Sequence, residues 1–127
     1  MNVASLELCQ ELYDLTGWDY DDAAHCSHWK GIVVWGRKTE GVPAYDLGYL
    51  MRKLPGNAWA GYAGVAPLDD NGYFCRSFAQ AYIYTWAKDK DVERAYSLVA
   101  DTPEDAACKL AIELIRQGIL PRQGDAS

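Results

Sequence analysis

Long apolar runs are missing from this chain. No stretch approaches the roughly 20 apolar residues that a bilayer-spanning helix needs, so no membrane role is expected. The opening residues Met1, Asn2, Val3, Ala4 and Ser5 have neither the basic start nor the apolar core of a secretory leader. Cysteine pairs at short spacing are missing too, since Cys9, Cys26, Cys75 and Cys108 are scattered. Reduced thiols in a cytoplasm are therefore the expectation. An excess of positive charge is also absent: 12 basic residues face 18 acidic ones, for a net charge of −6. Generic attraction to a phosphate backbone needs the opposite sign, so direct nucleic-acid binding is disfavoured.

Catalytic signatures are lacking as well. The chain has no Gly-x-Ser-x-Gly elbow. Gly56, Gly61 and Gly64 are followed by no Gly-Lys-Ser/Thr, which excludes a phosphate-binding loop of that type. They read instead as bulges, or as places where a helix packs closely. The paired acids Asp69 and Asp70 belong to an Asp-Asp-Asn-Gly turn and need no acid–base role. No enzyme activity and no cofactor are expected.

What remains is an ordinary globular composition, half apolar and about a quarter charged, in 127 residues. One domain over residues 1–121 is expected, with 122–127 as a frayed tail. Leu8, Leu12 and Leu15 mark an amphipathic helix that Ser5 caps and Gly17 ends. Residues 18–30 are polar and acidic and read as a loop, and 32–35 as a short strand. Pro43 opens a helix over about 44–54, which Pro55 and Gly56 close. Extended segments follow at 57–66, 73–78, 79–87 and 92–100. Short turns join them, so an antiparallel meander is the simplest topology.

The segment 102–117 carries the clearest pattern. Thr102 caps it, Pro103 suits the first turn, and Glu104 and Asp105 lie where the helix dipole favours acids. Ala107, Leu110, Ala111, Leu114 and Ile115 form an apolar stripe, and Gly118 and Pro121 stop the helix. Strand residues 81–86 place Ala81, Ile83 and Thr85 on one face and Tyr82, Tyr84 and Trp86 on the other, with no charge on either. Both faces therefore read as covered. The expected fold is α/β (α+β), a three-layer α/β/α sandwich with a small, mainly antiparallel sheet covered by helices.

Two constellations remain. His25, Cys26 and His28 are zinc-type ligands within four residues, the basis of a metal- or small-molecule-binding reading, although the spacing matches no established site. The aromatics are five Trp and nine Tyr against two Phe, so most rings have a polar tip suited to contact surfaces. Trp59, Tyr84 and Trp86 read as core beneath the helices. Trp18, Tyr20, Trp29, Trp35 and Tyr73 read as candidates for recognition.

From Pro43 onward the chain resembles a family of small phage and prophage proteins, the phage ABA sandwich domain. The likeness rests on Pro43-Ala44-Tyr45-Asp46, on the Trp- and Tyr-rich strands, and on Asp101-Thr102-Pro103-Glu104-Asp105-Ala106-Ala107-Cys108-Lys109-Leu110-Ala111. It covers about two-thirds of the chain. It implies an α/β/α sandwich acting in a bacterial host cell, with no activity and no functional residues to carry over. The expected function is a non-catalytic accessory protein that binds a basic host or phage protein, such as a host defence complex of the CRISPR type. Trp18, Asp19, Tyr20, Asp21, Asp22, Asp69 and Asp70 are the contacts expected for it. A structural module that forms a homodimer is the third option.

Overall fold

A computed structural model describes residues 2–19, 26–36, 40–66, 75–87 and 92–120, with no statement on several side chains inside the longer strands. The frayed tail expected at 122–127 lies outside the described residues. The element order is α1 (Leu6–Thr16), β1 (Cys26–Trp29), β2 (Ile32–Trp35), β3 (Val42–Ala44), α2 (Leu47–Lys53), β4 (Trp59–Ala66), β5 (Cys75–Ala87), β6 (Val92–Ala100) and α3 (Pro103–Arg116). The fold is α+β, with three helices packed on two antiparallel three-stranded sheets ordered β2-β1-β3 and β4-β5-β6.

The helix ends follow the side chains read from sequence. Ser5 and Thr102 cap α1 and α3, each side chain accepting from a backbone amide three residues on. Gly17 ends α1 at φ 67°. Gly118, at φ 76°, ends α3. There the Gly118 amide donates to the Ile115 carbonyl, and the Ile119 amide donates back to the Leu114 carbonyl at 2.8 Å, the paired bonds of a Schellman cap.

Two expectations are corrected. Residues 26–29 are strand rather than loop. Cys26, Ser27, His28 and Trp29 pair with Trp35, Val34, Val33 and Ile32, and Lys30 and Gly31 turn the chain with φ values of 51° and 83°. Two positive φ values in a two-residue connection match the right-handed twist of a hairpin. Pro43 does not open a helix either. It lies in β3 opposite Ser27, at a sheet edge where a missing amide costs little. The helix begins after Asp46, whose carboxylate accepts from the Tyr49 amide at 2.7 Å.

The core forms around α3. It packs against β4, β5 and β6 on one side and against α1 and α2 on the other. Ten of its 14 residues are buried, among them Ala106, Ala107, Leu110, Ala111, Leu114 and Ile115. Ala79, Ala81 and Ile83 of β5 are buried in the same cluster, with Tyr96, Leu98 and Ala100 of β6 packed partly against it. A third expectation fails here. The alternation that turns Ala79, Ala81 and Ile83 inward turns Phe78, Gln80, Tyr82 and Tyr84 outward, and Tyr84 is 53% exposed. One face of the second sheet is covered and the other is open.

Leu114 and Ala111 are fully buried. Leu114→Ala should lower the unfolding free energy by about 2–5 kcal/mol through lost transfer energy and a cavity. Ala111→Leu should cost about 1–3 kcal/mol by forcing helix and neighbours apart. Chemical denaturation reads both, and an unchanged midpoint for Ala111→Leu would mean that α3 has room to spare.

Candidate functional site

The residues singled out by sequence are scattered by the fold. Cys26 and His28 occupy alternate positions of β1 and so share a face of that strand, with Cys26 buried. His25 lies outside the described residues. The Nε2 atom of His28 is 2.9 Å from the Ala4 carbonyl oxygen. A carbonyl only accepts, so Nε2 carries the proton in this contact and has no lone pair for a metal there. The Ala4 amide in turn donates to the Tyr45 carbonyl at 2.9 Å, so His28 helps clasp the segment before α1 between the first sheet and the turn into α2. Among the described residues no group of three metal-ligating side chains converges.

Trp18, expected as a contact residue, is half-buried. It packs partly against the core, and its carbonyl accepts from the Tyr45 hydroxyl at 2.6 Å. The Asp19 carbonyl accepts from the Tyr49 hydroxyl at 3.3 Å. Tyr45 and Tyr49 stack with centroids 5.4 Å apart and rings within 11° of parallel. Lys53 sits over Trp18 and Tyr49, at 5.4 and 5.5 Å from the ring centroids, with Arg52 also over Tyr49. This cluster anchors residues 18–19 to α2. Tyr20, Asp21, Asp22, Asp69, Asp70 and Tyr73 lie outside the described residues.

The recognition candidates in the first hairpin divide. Trp35 is 64% exposed on the edge strand β2. Trp29 is half-buried, and the Lys30 ammonium lies 4.5 Å from the centroid of its ring.

Among the described residues, the outer face of β4, β5 and β6 gathers several exposed large side chains, including Trp59 and Tyr84, which the sequence pattern places in the core. Trp59 pairs with Tyr82, Gly61 with Gln80, Ser97 with Tyr82, Ala95 with Tyr84, and Val99 with Gln80. Trp59, Phe78, Tyr84 and Val99 are all exposed. The rings form a ladder: Trp59 and Tyr82 have centroids 5.4 Å apart, and Tyr82 meets Tyr84 edge-on at 5.8 Å. Such ring pairs are worth about 0.5–1.5 kcal/mol each beyond burial, so the ladder is ordered before any partner arrives.

Gly61 provides the floor for the indole. A Cβ at that position would come within 2.9 Å of Trp59 Cζ2, so the ring occupies the space that a side chain there would fill. Gly61 is approached closely by a ring of its own strand and not by the helix that the sequence pattern suggests. Gln80 donates to the Ser97 hydroxyl, bridging β5 and β6 between the rings and Val99. Among the outer positions whose side chains are described, none is charged. The signal that marks it was present: β5 alternates small inward residues with large aromatic outward ones, and an alanine-rich helix can approach only the small side.

Cys9, Cys26 and Cys108 contribute no reactive group to this face. Cys9 and Cys108 are fully buried between α1 and α3, with their thiols near the Ala4 and Leu8 carbonyls. Burial pushes the Cys9 thiol up to about 12 and moves Cys108 in the same direction.

No helix among the described residues is long and apolar enough to cross a membrane. Comparison with family models, with curated proteins and with solved structures finds no match.

Both thiols should resist alkylation in the folded chain and react on unfolding. The pH dependence has a definite sign. The unfolded chain releases its thiol protons at the ordinary value near 9 while folded Cys9 holds its proton to about 12. Stability is thus complete below pH 9 and falls as pH rises toward 12. Cys9→Ala should make this fall shallower in denaturation measured across that range, and equal slopes would contradict the burial argument.

Proposed function

We propose that this chain is a non-catalytic protein-binding module whose contact surface is the open face of β4–β5–β6. One observation carries the reading: a well-packed chain leaves Trp59, Phe78, Tyr84 and Val99 exposed together on an ordered sheet face. Single exposed apolar residues are ordinary, but a contiguous group with Trp and Tyr at its centre has the make-up of a contact hot spot. Trp35 on β2 supplies a second, smaller exposed site.

The net charge of −6 supports a partner with a basic surface. The likeness of residues 43–46 and 101–111 to phage proteins supports an accessory role in a phage-infected cell, acting on a host or phage protein. A host antiviral defence complex, including the CRISPR type, is the partner class to test first. The metal-binding alternative at His25, Cys26 and His28 gains nothing from a His28 ring whose Nε2 already donates to a carbonyl.

Affinity capture with the tagged chain from host lysate should enrich one specific partner over a tag-only control at low and moderate salt alike. Recovery of no specific partner at either salt would overturn the reading. Loss of a captured partner as salt rises, in steps that scale with ionic strength, would assign the attraction to the acidic surface rather than to the rings.

A further inference from the structure

We propose that the ladder Trp59–Tyr82–Tyr84 is a guanidinium platform that docks an arginine-bearing segment of the protein partner. This rests on the binding-module reading and names the chemistry of its partner.

The first argument is the state of the ring faces. At three rings elsewhere a cation of the chain itself lies over the face: Lys30 over Trp29, Lys53 over Trp18 and Tyr49, and Arg52 over Tyr49. Among the described residues, no cation lies over Trp59, Tyr82 or Tyr84. Exposed π faces on an acidic chain are the natural complement of a cation supplied from outside. Arginine fits better than lysine, because a planar guanidinium stacks on a ring while its edge still donates hydrogen bonds.

The second argument is the polar group set between the rings. Gln80 spends its Nε2 donor on Ser97, which leaves its Oε1 to accept. Tyr82 and Tyr84 add hydroxyl oxygens. The outer face thus offers acceptors and π faces to a donor-only ligand, and no described cation competes for them.

The third argument is charge, and it decides between a partner segment and a second copy. A second copy would bring the same net charge of −6 against this one. An arginine-bearing segment brings the opposite sign together with a flat donor for the rings.

The test uses the full chain and an acetylated, amidated nonapeptide alternating arginine and leucine, with lysine and citrulline versions as controls. At about 0.15 M salt, where the screening length is about 8 Å, distant acids contribute little. The arginine peptide should bind saturably, shifting the Trp59 indole N–H and the amides of Gln80, Tyr82 and Tyr84 in two-dimensional NMR spectra. The lysine peptide should bind several-fold more weakly and the citrulline peptide about tenfold more weakly. Tyr84→Leu and Trp59→Leu should each weaken the arginine peptide about tenfold, and a retained single cooperative melting transition shows that the fold is kept.

Equal binding of the arginine and citrulline peptides would overturn the platform, because contact would then be apolar only. Shifts confined to residues away from this face would overturn it too. So would a dimer in sedimentation that Tyr84→Leu dissociates, since a second copy would then cover the rings. If Tyr84→Leu still captures the lysate partner undiminished, the platform fails and the binding module stands. If the wild-type chain captures nothing specific, the module reading fails on its own account.

Discussion

The close approach of α3 to the second sheet is the constraint on which the rest of this structure depends. Ala106, Ala107 and Ala111 on the helix, and Ala79 and Ala81 on β5, are all fully buried. Small side chains on both elements let the backbones come near, and interior packing then leaves no space for large groups between them. Strand alternation does the rest. Once the small residues of β5 turn inward, Tyr82 and Tyr84 must turn outward, so the exposed aromatic face is the other side of the same packing decision.

That constraint also organises the far side of the molecule. A helix with ten of 14 residues buried cannot lie on a surface, and α1 and α2 cover what the sheet does not. Cys9 and Cys108 fill the contact between α1 and α3 as small apolar groups. Asp105 accepts from the Ser5 amide at 2.7 Å, which ties the start of α3 to the start of α1. Glu104 is buried at the N-terminal end of α3, where the helix dipole favours a carboxylate, although its Oε2 has no hydrogen-bond partner among the described residues. The exposed Arg116–Glu11 pair at 3.0 Å adds little by comparison, since solvent screens it.

Much of this fold was legible in the sequence where local chemistry and tertiary packing agree. Thr102, Pro103, the apolar stripe and Gly118 all specify α3, and Ser5 and Gly17 bracket α1 in the same way. Legibility failed where they diverge. Residues 26–29 are polar, so they read as a loop, yet backbone pairing to both β2 and β3 makes them the centre of the first sheet. Pro43 resembles a helix start because proline suits a first turn, but Asp46 is the better cap and proline is equally content on an edge strand. The open face was misread for a different reason. Composition gives the character of a strand face but not whether a second layer exists to cover it, and large aromatics without charge look alike in a core and in a contact surface.

On the proposed reading, the acidic charge and the aromatic face act at different ranges. Charge–charge attraction extends about 8 Å at physiological salt, so a net −6 orients a basic partner before contact and raises its association rate. Ring stacking acts only within contact distance, where water has been expelled, and it governs how long the complex lasts. The separation has a structural basis. Trp59, Tyr84 and Val99 sit on the face of the sheet turned away from α3, so replacing them changes the surface and leaves the packing of α3 intact. A chain built this way can alter its partner by changing outward residues of β4, β5 and β6. The inward alanines, which set how near the helix lies, have no such freedom.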